Sequence, residues 1–505
     1  MDHATSYQEL LAQLREITLV STSQELLAWD ELTYLPEGGT DFRARQLAEF
    51  AGRHHALATD KRIPQWLAAL KDSPLAKGSE PAAIIVRELR RQYERQARQP
   101  RTLVEELAHV CTHAQAEWNQ ARRYNDFGRF APWLKRIILL KREQAKCLAG
   151  NGEPFAPLLA EFEPGLEAEE VGNLITSLGA ALQKLLPEIL NWQVRGRNLA
   201  RPSLRGEFPV EKQREFGAEM AANLGFDFRR GRIDESVHPF TTLLGPHDCR
   251  IAIRYESTDL RYLLFVLLHE LGHALYDLDM PTEFFGTPAA EAPSLSVHEA
   301  LARLWENFVG RSLGFWKFLG VRVSAKFNSH LSAVEPVEYW RAVNHVAPTL
   351  IRSRADEVTY NLHILLRYEL ERALLDGSLS VEGLPSAWNA RHQELLGITP
   401  HDDRDGCLQD GHWASGMFGY FPTYTIGNLL AAQWRERASA DLGDMEDAWS
   451  RGEFGPLREW LAAQICRHGR RYSTAELAQR ISGRPLEITP LLDYLRKKHE
   501  AIWLG

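Results

Sequence analysis

This sequence has few cysteines, only a small excess of one sign of charge, and no long apolar run. The five cysteines are scattered, odd in number and never spaced as Cys-x-x-Cys: Cys111, Cys147, Cys249, Cys407 and Cys466. Such usage argues against a disulfide framework and is typical of a reducing compartment. The first twenty residues also lack the basic and apolar regions of a secretion signal. We therefore expect a cytoplasmic location.

The charge balance gives no indication of a polyanionic partner. Lysine and arginine total 59, aspartate and glutamate total 67, and the formal net charge is -8. The longest apolar stretch, YLLFVLL at 262–268, is shorter than the about twenty residues that a membrane-spanning helix needs. These features argue against binding to nucleic acid and against a membrane role.

Apolar residues recur at spacings of three and four over most of the chain, which predicts a mainly α-helical protein. Clear helical patterns cover 6–29, 103–125, 130–148, 167–192 and 355–375. Turn-forming residues separate these patterns, but no segment has the composition of a flexible interdomain linker. One large two-lobed unit is therefore as consistent with the sequence as several domains, and we predict a single unit over residues 1–505.

The sequence CRIAIRY, at 249–255, departs from the helical pattern. Its apolar residues alternate with Arg250, Ala252 and Arg254, which is the period of a half-buried β-strand. Since it precedes a strongly apolar helical stretch, this strand could expose an edge whose main-chain groups bind an extended peptide. A small structural hairpin is the simpler alternative.

The next helical stretch, LLHELGHALY at 267–276, contains two histidines four residues apart. On an α-helix, His269 and His273 project from one face and can bind one metal ion, while Glu270 lies beside the position of a metal-bound water. Structural hydrogen bonds to both histidines are the alternative interpretation. In so apolar a helix, however, these three polar residues would be costly to bury without partners. We favour a catalytic zinc site.

A catalytic zinc ion needs a third ligand, since such sites usually combine three protein groups with a water molecule. The downstream segment LSVHEALARLWENF, at 295–308, has a helical pattern and contains Glu299. Its carboxylate would complete a site of two histidines and one glutamate. His298 is the competing ligand, and Glu291 and Glu306 are weaker candidates.

Several further segments occur in the order that is typical of a known family. They are HPFTT (238–242), DCRIA (248–252), HELGH (269–273), SVHEA (296–300), IRSRADEVTYNLH (351–363) and GCLQDGHW (406–413). With LLAWDELTYLP near the amino terminus and GYFPTYTIGNLLAAQ near the carboxyl terminus, they resemble the thermostable carboxypeptidase, or carboxypeptidase Taq, family of zinc metallocarboxypeptidases. The resemblance covers nearly the whole chain.

The resemblance implies a mainly α-helical, two-lobed, zincin-type fold with a deep substrate groove and a small β element beside the HExxH helix. It places the catalytic region at about 235–430. It also implies a homodimer with one Zn²⁺ per chain, for which another divalent ion such as Co²⁺ could substitute. The expected substrates are peptides, from which C-terminal amino acids are released with broad specificity.

Carried over residue by residue, the resemblance makes Glu270 the catalytic base and assigns the metal to His269, His273 and Glu299. These assignments agree with the pattern of the residues themselves. The resemblance also implies that four other residues lie in the groove where substrate binds: His238, Arg250, Arg352 and His412.

A peptidase that releases C-terminal residues needs a cation for the terminal carboxylate. Arginine suits this task because its planar fork can bind both oxygens, and Arg250 and Arg352 are the candidates. The oxyanion that forms during hydrolysis needs a further hydrogen-bond donor. For this role we nominate His412, Tyr420 and Tyr424.

Two other functions stay open. A related helical zinc peptidase could cleave internal bonds or remove dipeptides, and a weakly active or non-catalytic descendant could only bind peptides. Retention of all three ligands and Glu270 argues against the second. The chain departs from the family pattern at Ala252, Ala300 and Leu301. Because Ala252 shares a strand face with Arg250, we expect its missing hydroxyl to change substrate binding rather than the metal site.

Overall fold

The computed structural model describes residues 2–327, 331 and 334–505. Its amino-terminal part is helical: α1 (His3–Thr33), α2 (Thr40–Ala58), α3 (Arg62–Leu70), α4 (Pro81–Ala97), α5 (Arg101–Tyr124), α6 (Phe127–Ala149), α7 (Phe155–Phe162), α8 (Ala168–Arg195) and α9 (Val210–Asn223). The first helix begins where the Asp2 carboxylate accepts the backbone N–H of Thr5, which satisfies a free amide of the first turn.

Helices also dominate the rest of the chain: α10 (Leu260–Leu278), α11 (Leu295–Arg303), α12 (Leu313–Phe327), α13 (Pro336–Val343), α14 (Tyr360–Asp376), α15 (Leu384–Leu396), α16 (Pro422–Leu442), α17 (Met445–Ser450), α18 (Gly455–Gln464), α19 (Thr474–Ser482) and α20 (Thr489–Trp503). A π-helical turn, Leu304–Val309, continues directly from α11. Short 3-10 turns lie at Glu37–Gly39, Pro74–Ala76, Thr282–Phe284, Pro288–Ala290, Arg352–Arg354 and Cys466–Arg471. The prediction of a mainly α-helical protein is confirmed.

The helical patterns at 6–29, 103–125, 130–148 and 167–192 correspond to α1, α5, α6 and α8. The pattern at 355–375 is wrong at its start, because α14 begins only at Tyr360. The Asp356 carboxylate accepts the backbone N–H groups of Val358 and Thr359 and so holds a turn ahead of the helix. A short acidic side chain that binds nearby amides competes with helix formation in this way.

Three short strands, β1 (Gly231–Glu235), β2 (Phe240–Gly245) and β3 (Asp248–Ile253), form one sheet. The predicted strand at CRIAIRY is β3, which lies in the middle, parallel to β1 and antiparallel to β2. The expectation that it exposes an edge is wrong, because the two neighbouring strands take up the main-chain groups on both of its sides. The outer strand β2 contacts α10 through Thr241.

One large hydrophobic core extends from α5 to α20, and α10 runs through it. Leu263, Leu267, Leu268 and Leu271 are fully buried there, as expected for a helix that is apolar on all sides. Two smaller clusters are centred on α1, α3 and α4. Within the described residues, no helix is both long and apolar enough to cross a membrane. The division into two lobes, with the catalytic region at about 235–430, stays a prediction.

Candidate metal centre

The two histidines of the HELGH segment form a cluster with Glu299. His269 and His273 lie on α10, and Glu299 lies on α11. The Nε2 atoms of His269 and His273 are 3.8 and 3.7 Å from the same Glu299 oxygen, Oε2. The three ligand atoms lie within 4.8 Å of one another, and the described residues contain no second cluster of this kind.

These separations fit a single metal ion. Two ligand atoms that each lie about 2.0–2.2 Å from an ion cannot be more than about 4.4 Å apart, and both His–Glu separations satisfy this limit. Two imidazoles and one carboxylate are also a ligand set that hydrolytic zinc sites use, with a further position for water. The residues present can therefore hold zinc.

Each histidine of the cluster is oriented by a hydrogen bond at its other ring nitrogen. The His269 Nδ1–H donates to Glu306 Oε2 at 3.0 Å. His273 Nδ1 lies 2.6 Å from His298 Nδ1, and His298 Nε2 lies 2.8 Å from Asp277 Oδ1. In the neutral form of His298, Nε2–H donates to the Asp277 carboxylate, so Nδ1 is free to accept the Nδ1–H of His273. Both histidines thereby keep their Nε2 lone pairs for a metal.

The competing ligands that the sequence left open occupy other positions. Glu306 and His298 hydrogen-bond to the Nδ1 atoms of His269 and His273, which are the ring nitrogens that do not face Glu299. Glu291 forms an ion pair with Arg470 at 3.0 Å. The geometry therefore groups Glu299, and not these three residues, with the two Nε2 atoms.

Arg303 forms ion pairs with Glu299 and with the neighbouring carboxylate of Glu306. Its Nε donates to Glu299 Oε1 at 2.7 Å, its Nη1 to Glu306 Oε2 at 3.0 Å and its Nη2 to the Tyr360 hydroxyl at 2.7 Å. Burial is the largest influence on the pKa of Glu306 and would raise it, but the Arg303 charge, the His269 hydrogen bond and the charges of His269 and Arg311 together lower this pKa to about 2. Glu306 therefore stays ionised and fixes the ring orientation of His269.

Helices α10 and α11 approach closely because Gly272 has no side chain. A Cβ atom at this position would lie 2.5 Å from Ala302 Cα and 2.8 Å from the Leu301 carbonyl oxygen. Ala300 and Leu301, two of the departures from the family pattern, are both buried in the core. The close packing of the two backbones is what brings Glu299 within reach of the α10 histidines.

Glu270 is buried next to the histidines on α10. Its Oε2 accepts a hydrogen bond from the Thr241 hydroxyl of β2 at 2.8 Å. Burial is the main influence on its pKa and raises it, while the charge of His269 and the Thr241 hydroxyl oppose the rise. A carboxylate with a raised pKa and one fixed donor is suited to exchanging a proton with a nearby water.

Arg352 lies in a buried network that reaches the cluster through Tyr360. Its Nη1 donates to the Tyr360 hydroxyl at 3.0 Å, and its Nη2 donates to Asp410 Oδ1 at 2.8 Å. Arg367 Nε donates to the other oxygen of Asp410 at 2.7 Å. Two arginines thus share one carboxylate, which leaves one positive charge in excess.

His412 and the nominated tyrosines lie beside Arg352. His412 Nε2 is 3.1 Å from the Tyr424 hydroxyl, and the Arg352 guanidinium is 4.8 Å from the centre of the Tyr424 ring. Burial lowers the pKa of His412 to about 4 and raises the pKa of Tyr420 to about 12. At neutral pH these side chains are therefore uncharged and can act as hydrogen-bond donors.

Arg250 and His238 have different surroundings. The Arg250 guanidinium donates to both oxygens of Asp248, at 2.9 and 2.8 Å, and lies 4.2 Å from the centre of the Trp29 ring. His238 is exposed in the connection between β1 and β2. Ala252 is fully buried, so its influence on a bound peptide is indirect.

Sequence reasoning missed several members of this network. Arg303 and Tyr360 connect the cluster to the second arginine, and Thr241 holds the oxygen of Glu270. Signals for them existed, because Arg303 follows Glu299 at helical spacing and the other two lie inside the segments IRSRADEVTYNLH and HPFTT. The sequence alone does not show which atoms of these residues form hydrogen bonds with one another.

The geometry agrees with comparisons to known proteins. The Peptidase_M32 family, described as carboxypeptidase Taq (M32) metallopeptidase, matches residues 9–499. The chain is 43% identical over 513 residues to the thermostable carboxypeptidase 1 of Thermus thermophilus, with 100% of both proteins covered. It is 34% identical over 493 residues to the thermostable carboxypeptidase 1 of Pyrococcus furiosus, with 97% of this chain and 98% of that protein covered.

A solved structure gives the same result. The crystal structure of the M32 carboxypeptidase from Deinococcus radiodurans R1 matches with a TM-score of 0.93 and 38% sequence identity. The match covers 99% of this chain and 100% of that chain. The chain therefore belongs to the carboxypeptidase Taq (M32) metallopeptidase family and is a metallocarboxypeptidase.

Proposed function

We propose that the metal is zinc, with one ion per chain, and that His269, His273 and Glu299 are its ligands. The observation that carries this proposal is the placement of two Nε2 atoms 3.7 and 3.8 Å from one carboxylate oxygen. Imidazole and carboxylate together suit zinc better than calcium or magnesium, which prefer oxygen ligands. Cobalt lies in the same divalent series and could replace zinc.

Glu270 is the proposed general base. Zinc, when bound, would polarise the scissile carbonyl and lower the pKa of a coordinated water. Glu270 then accepts the proton of the attacking water and passes it to the leaving amine. The Thr241 hydroxyl fixes one of its oxygens and thereby the direction of the other.

Arg352 is the proposed partner of the substrate's terminal carboxylate. It shares Asp410 with Arg367, and this network has one positive charge in excess. Arg250, in contrast, is neutralised by Asp248 alone. Because a buried carboxylate must be paired, the network with the excess charge is the better match. We assign Arg250 and the exposed His238 to contacts with other parts of the peptide.

His412, Tyr420 and Tyr424 are the proposed donors to the oxyanion. The 3.1 Å contact between His412 and Tyr424 lies next to Arg352, so the donors and the carboxylate partner share one region. Both His412 and Tyr424 are uncharged near pH 7 and can donate without an ionic partner. One such donor is worth about 10²–10³ in kcat.

We also propose a cytoplasmic homodimer that acts on peptides with broad specificity. All five cysteines are free thiols, which suits a reducing compartment. The dimer rests on the family resemblance. Light scattering on the purified protein tests it, and a monomer at all concentrations would refute it.

The decisive experiment combines metal analysis with product analysis. The purified protein should contain one zinc per chain and should release single amino acids in turn from the C-terminus of a peptide with a blocked amino terminus. Removal of the metal by a chelator should abolish this release, and added zinc should restore it. Internal fragments or dipeptides would instead favour an endopeptidase or a dipeptidyl peptidase. Zinc-loaded protein that releases nothing would favour a peptide-binding descendant.

A further inference from the structure

Glu163 is a buried carboxylate that joins the two helices around the metal centre. It follows directly after α7 and is fully buried. Its Oε1 accepts the Ser296 backbone N–H at 2.9 Å and the Thr423 hydroxyl at 2.7 Å. Its Oε2 accepts the Ser296 hydroxyl at 2.5 Å. Ser296 lies in the first turn of α11, and Thr423 lies in the first turn of α16.

The two helices carry different parts of the proposed site. Helix α11 presents Glu299, about one turn after Ser296, and α16 presents Tyr424, directly after Thr423. The helices also touch at the site itself, since a Cβ atom at Gly427 would lie 2.8 Å from Glu299 Cγ. In so close-packed an interface, a shift of one helix moves Tyr424 relative to Glu299.

The surroundings of Glu163 are unusual for an ionisable group. Among the described residues, no lysine or arginine forms an ion pair with it. Burial raises its pKa to about 7, and the hydroxyl and amide donors oppose the rise. Buried ionisable groups are weak sources of stability compared with apolar side chains. This carboxylate instead constrains the relative position of two helices, because its two oxygens require hydrogen-bond donors at fixed positions on both of them.

We propose that Glu163 is a positioning residue that fixes the separation of α11 and α16 and thereby the placement of Tyr424 against Glu299. This proposal rests on the proposed zinc-peptidase function, and it gives Glu163 no contact with metal or substrate. Loss of the carboxylate should weaken metal binding and slow the chemical step together. Substrate binding, which is assigned to Arg352, should change little.

A second buried carboxylate provides a comparison within the same site. Glu371 on α14 is also fully buried, and burial raises its pKa to about 7. It accepts the Trp413 indole N–H at 2.8 Å and the Gly419 backbone N–H. Glu371 therefore holds the loop between His412 and Tyr420, whereas its hydrogen bonds in the described part of the chain do not reach α11. Its loss should slow catalysis without weakening metal binding.

The test compares Glu163→Ala, Glu163→Gln, Glu371→Ala and Gln433→Ala, each assayed well below its melting temperature. Gln433 is a buried side chain farther along α16 whose amide binds Ser482 and Pro485, so it controls for the loss of buried hydrogen bonds in general. The measured quantities are kcat and KM on a short peptide, and the Kd for zinc from competition with a chelator.

For Glu163→Ala we expect kcat to fall about 10²-fold, as for a small displacement of reacting groups. The Kd for zinc should rise about tenfold, as when a metal ligand loses its support. KM should change little. Glu163→Gln should restore most of both losses, because its carbonyl still accepts from Ser296 and Thr423 and its amide can donate to the Ser296 hydroxyl. Glu371→Ala should lower kcat only, and Gln433→Ala should change neither quantity.

Wild-type kcat and zinc Kd in Glu163→Ala would overturn the proposal, and so would equal losses in Gln433→Ala. If Glu163→Ala does not fold, Thr423→Val removes the hydrogen bond to α16, and Ser296→Ala removes the side-chain hydrogen bond to α11 while the backbone N–H of residue 296 stays bound. The first should lower kcat alone, the second should raise the zinc Kd, and unchanged values in both would also overturn the proposal. A zinc-loaded wild-type protein that releases no amino acids would refute the proposed function instead, and the zinc Kd series would still decide the role of Glu163.

Discussion

The metal centre has a sheet side, formed by β2 and β3, and a helix side, formed by α14, α16 and the segment around His412. On the sheet side, Arg250 meets Asp248 one to one. On the helix side, Arg352 shares Asp410 with Arg367. The first arrangement is neutral, and the second has one positive charge in excess.

This difference shows that the charge around an arginine says more about its role than its place in a motif. Both Arg250 and Arg352 lie in segments that resemble the family, and the sequence gives them equal weight. A substrate carboxylate that approached Arg250 would also meet the negative charge of Asp248 at close range. An anion on the helix side would instead complete an unbalanced network.

The largest effect should come from Glu270, which contacts the sheet side through Thr241. Glu270→Gln should lower kcat by about 10²–10⁴-fold, because an amide cannot accept the proton of the attacking water. The metal content should stay at the wild-type value, since the side chain is not among the three clustered ligand atoms. Metal analysis and steady-state kinetics on the same preparation check both points. An unchanged rate would contradict the assigned base.

The second prediction compares the loss of one tyrosine hydroxyl on the helix side with the loss of one near the sheet side. Tyr424→Phe removes a donor of the helix side and should lower kcat about 10²-fold. Tyr34→Phe is the matched change next to the sheet side, where the hydroxyl donates to Asp234 of the adjoining strand β1 at 2.7 Å, and it should leave kcat unchanged. Kinetics on a short peptide distinguish them. Equal losses would mean that the two sides do not differ as proposed.

The two arginines test the comparison directly. Arg352→Met should lower kcat/KM about 10²-fold or more, as expected when one partner of a buried charge pair is lost. Arg250→Met should lower it less than about tenfold, because its charge is already balanced by a partly exposed aspartate. On a peptide with an amidated C-terminus, Arg352→Met should lose no further activity relative to wild type. The opposite ranking would move the carboxylate partner to the sheet side.

A smaller effect concerns stability and has its origin in Glu371 on the helix side. Burial raises the folded-state pKa of this carboxyl from 4.5 to about 7. Between these values the folded chain holds a proton that the unfolded chain has released, so this group makes the protein less stable as pH rises from about 4.5 to 7. Glutamine does not titrate, so the stability of Glu371→Gln lacks this contribution to the pH dependence.

The free energy of unfolding of Glu371→Gln should therefore rise relative to wild type, by on the order of 1–3 kcal/mol, between pH 5 and pH 8. Denaturant unfolding of both proteins at four pH values measures the difference. A constant offset from the lost hydrogen bond is expected and does not bear on the result. Parallel stability curves would show that Glu371 titrates normally in the folded protein.

The smallest effect should come from Ala252→Thr on the sheet side. Ala252 is fully buried in β3, opposite Phe240 of β2, so an added hydroxyl acts on a bound peptide only through neighbouring atoms. One neutral hydrogen bond is worth about 0.5–1.5 kcal/mol, which corresponds to a two- to tenfold change in kcat/KM. A gain of several hundredfold would mean that the natural alanine marks a disabled site.

Local patterns made much of the fold and the core of the site predictable. Apolar spacing identified the long helices, because it records which helix face is buried. The four-residue spacing of His269 and His273 predicted that both face the same side of α10, because helical geometry alone places them there. The position of Glu299 depends in addition on how α11 packs against α10. These are properties of one or two adjacent elements.

The rest depends on contacts between distant parts of the chain. Arg250 pairs with Asp248 only two residues away, but its contact with the ring of Trp29 joins parts of the chain that no local pattern connects. The central position of β3 depends on strand order, which alternation does not reveal. Glu163 gave no signal because its donors lie far from it in sequence.

The glycine of the HELGH segment has a consequence for recognising such sites in other sequences. Gly272 occupies one of the two positions that the HExxH pattern leaves unspecified, yet a methyl group there would lie 2.5 Å from the backbone of α11. A chain with a larger residue at this position must carry its third ligand on a helix that crosses farther away, or take that ligand from another element. In a sequence search, this one letter therefore helps to separate zinc helices that can use this ligand geometry from those that cannot.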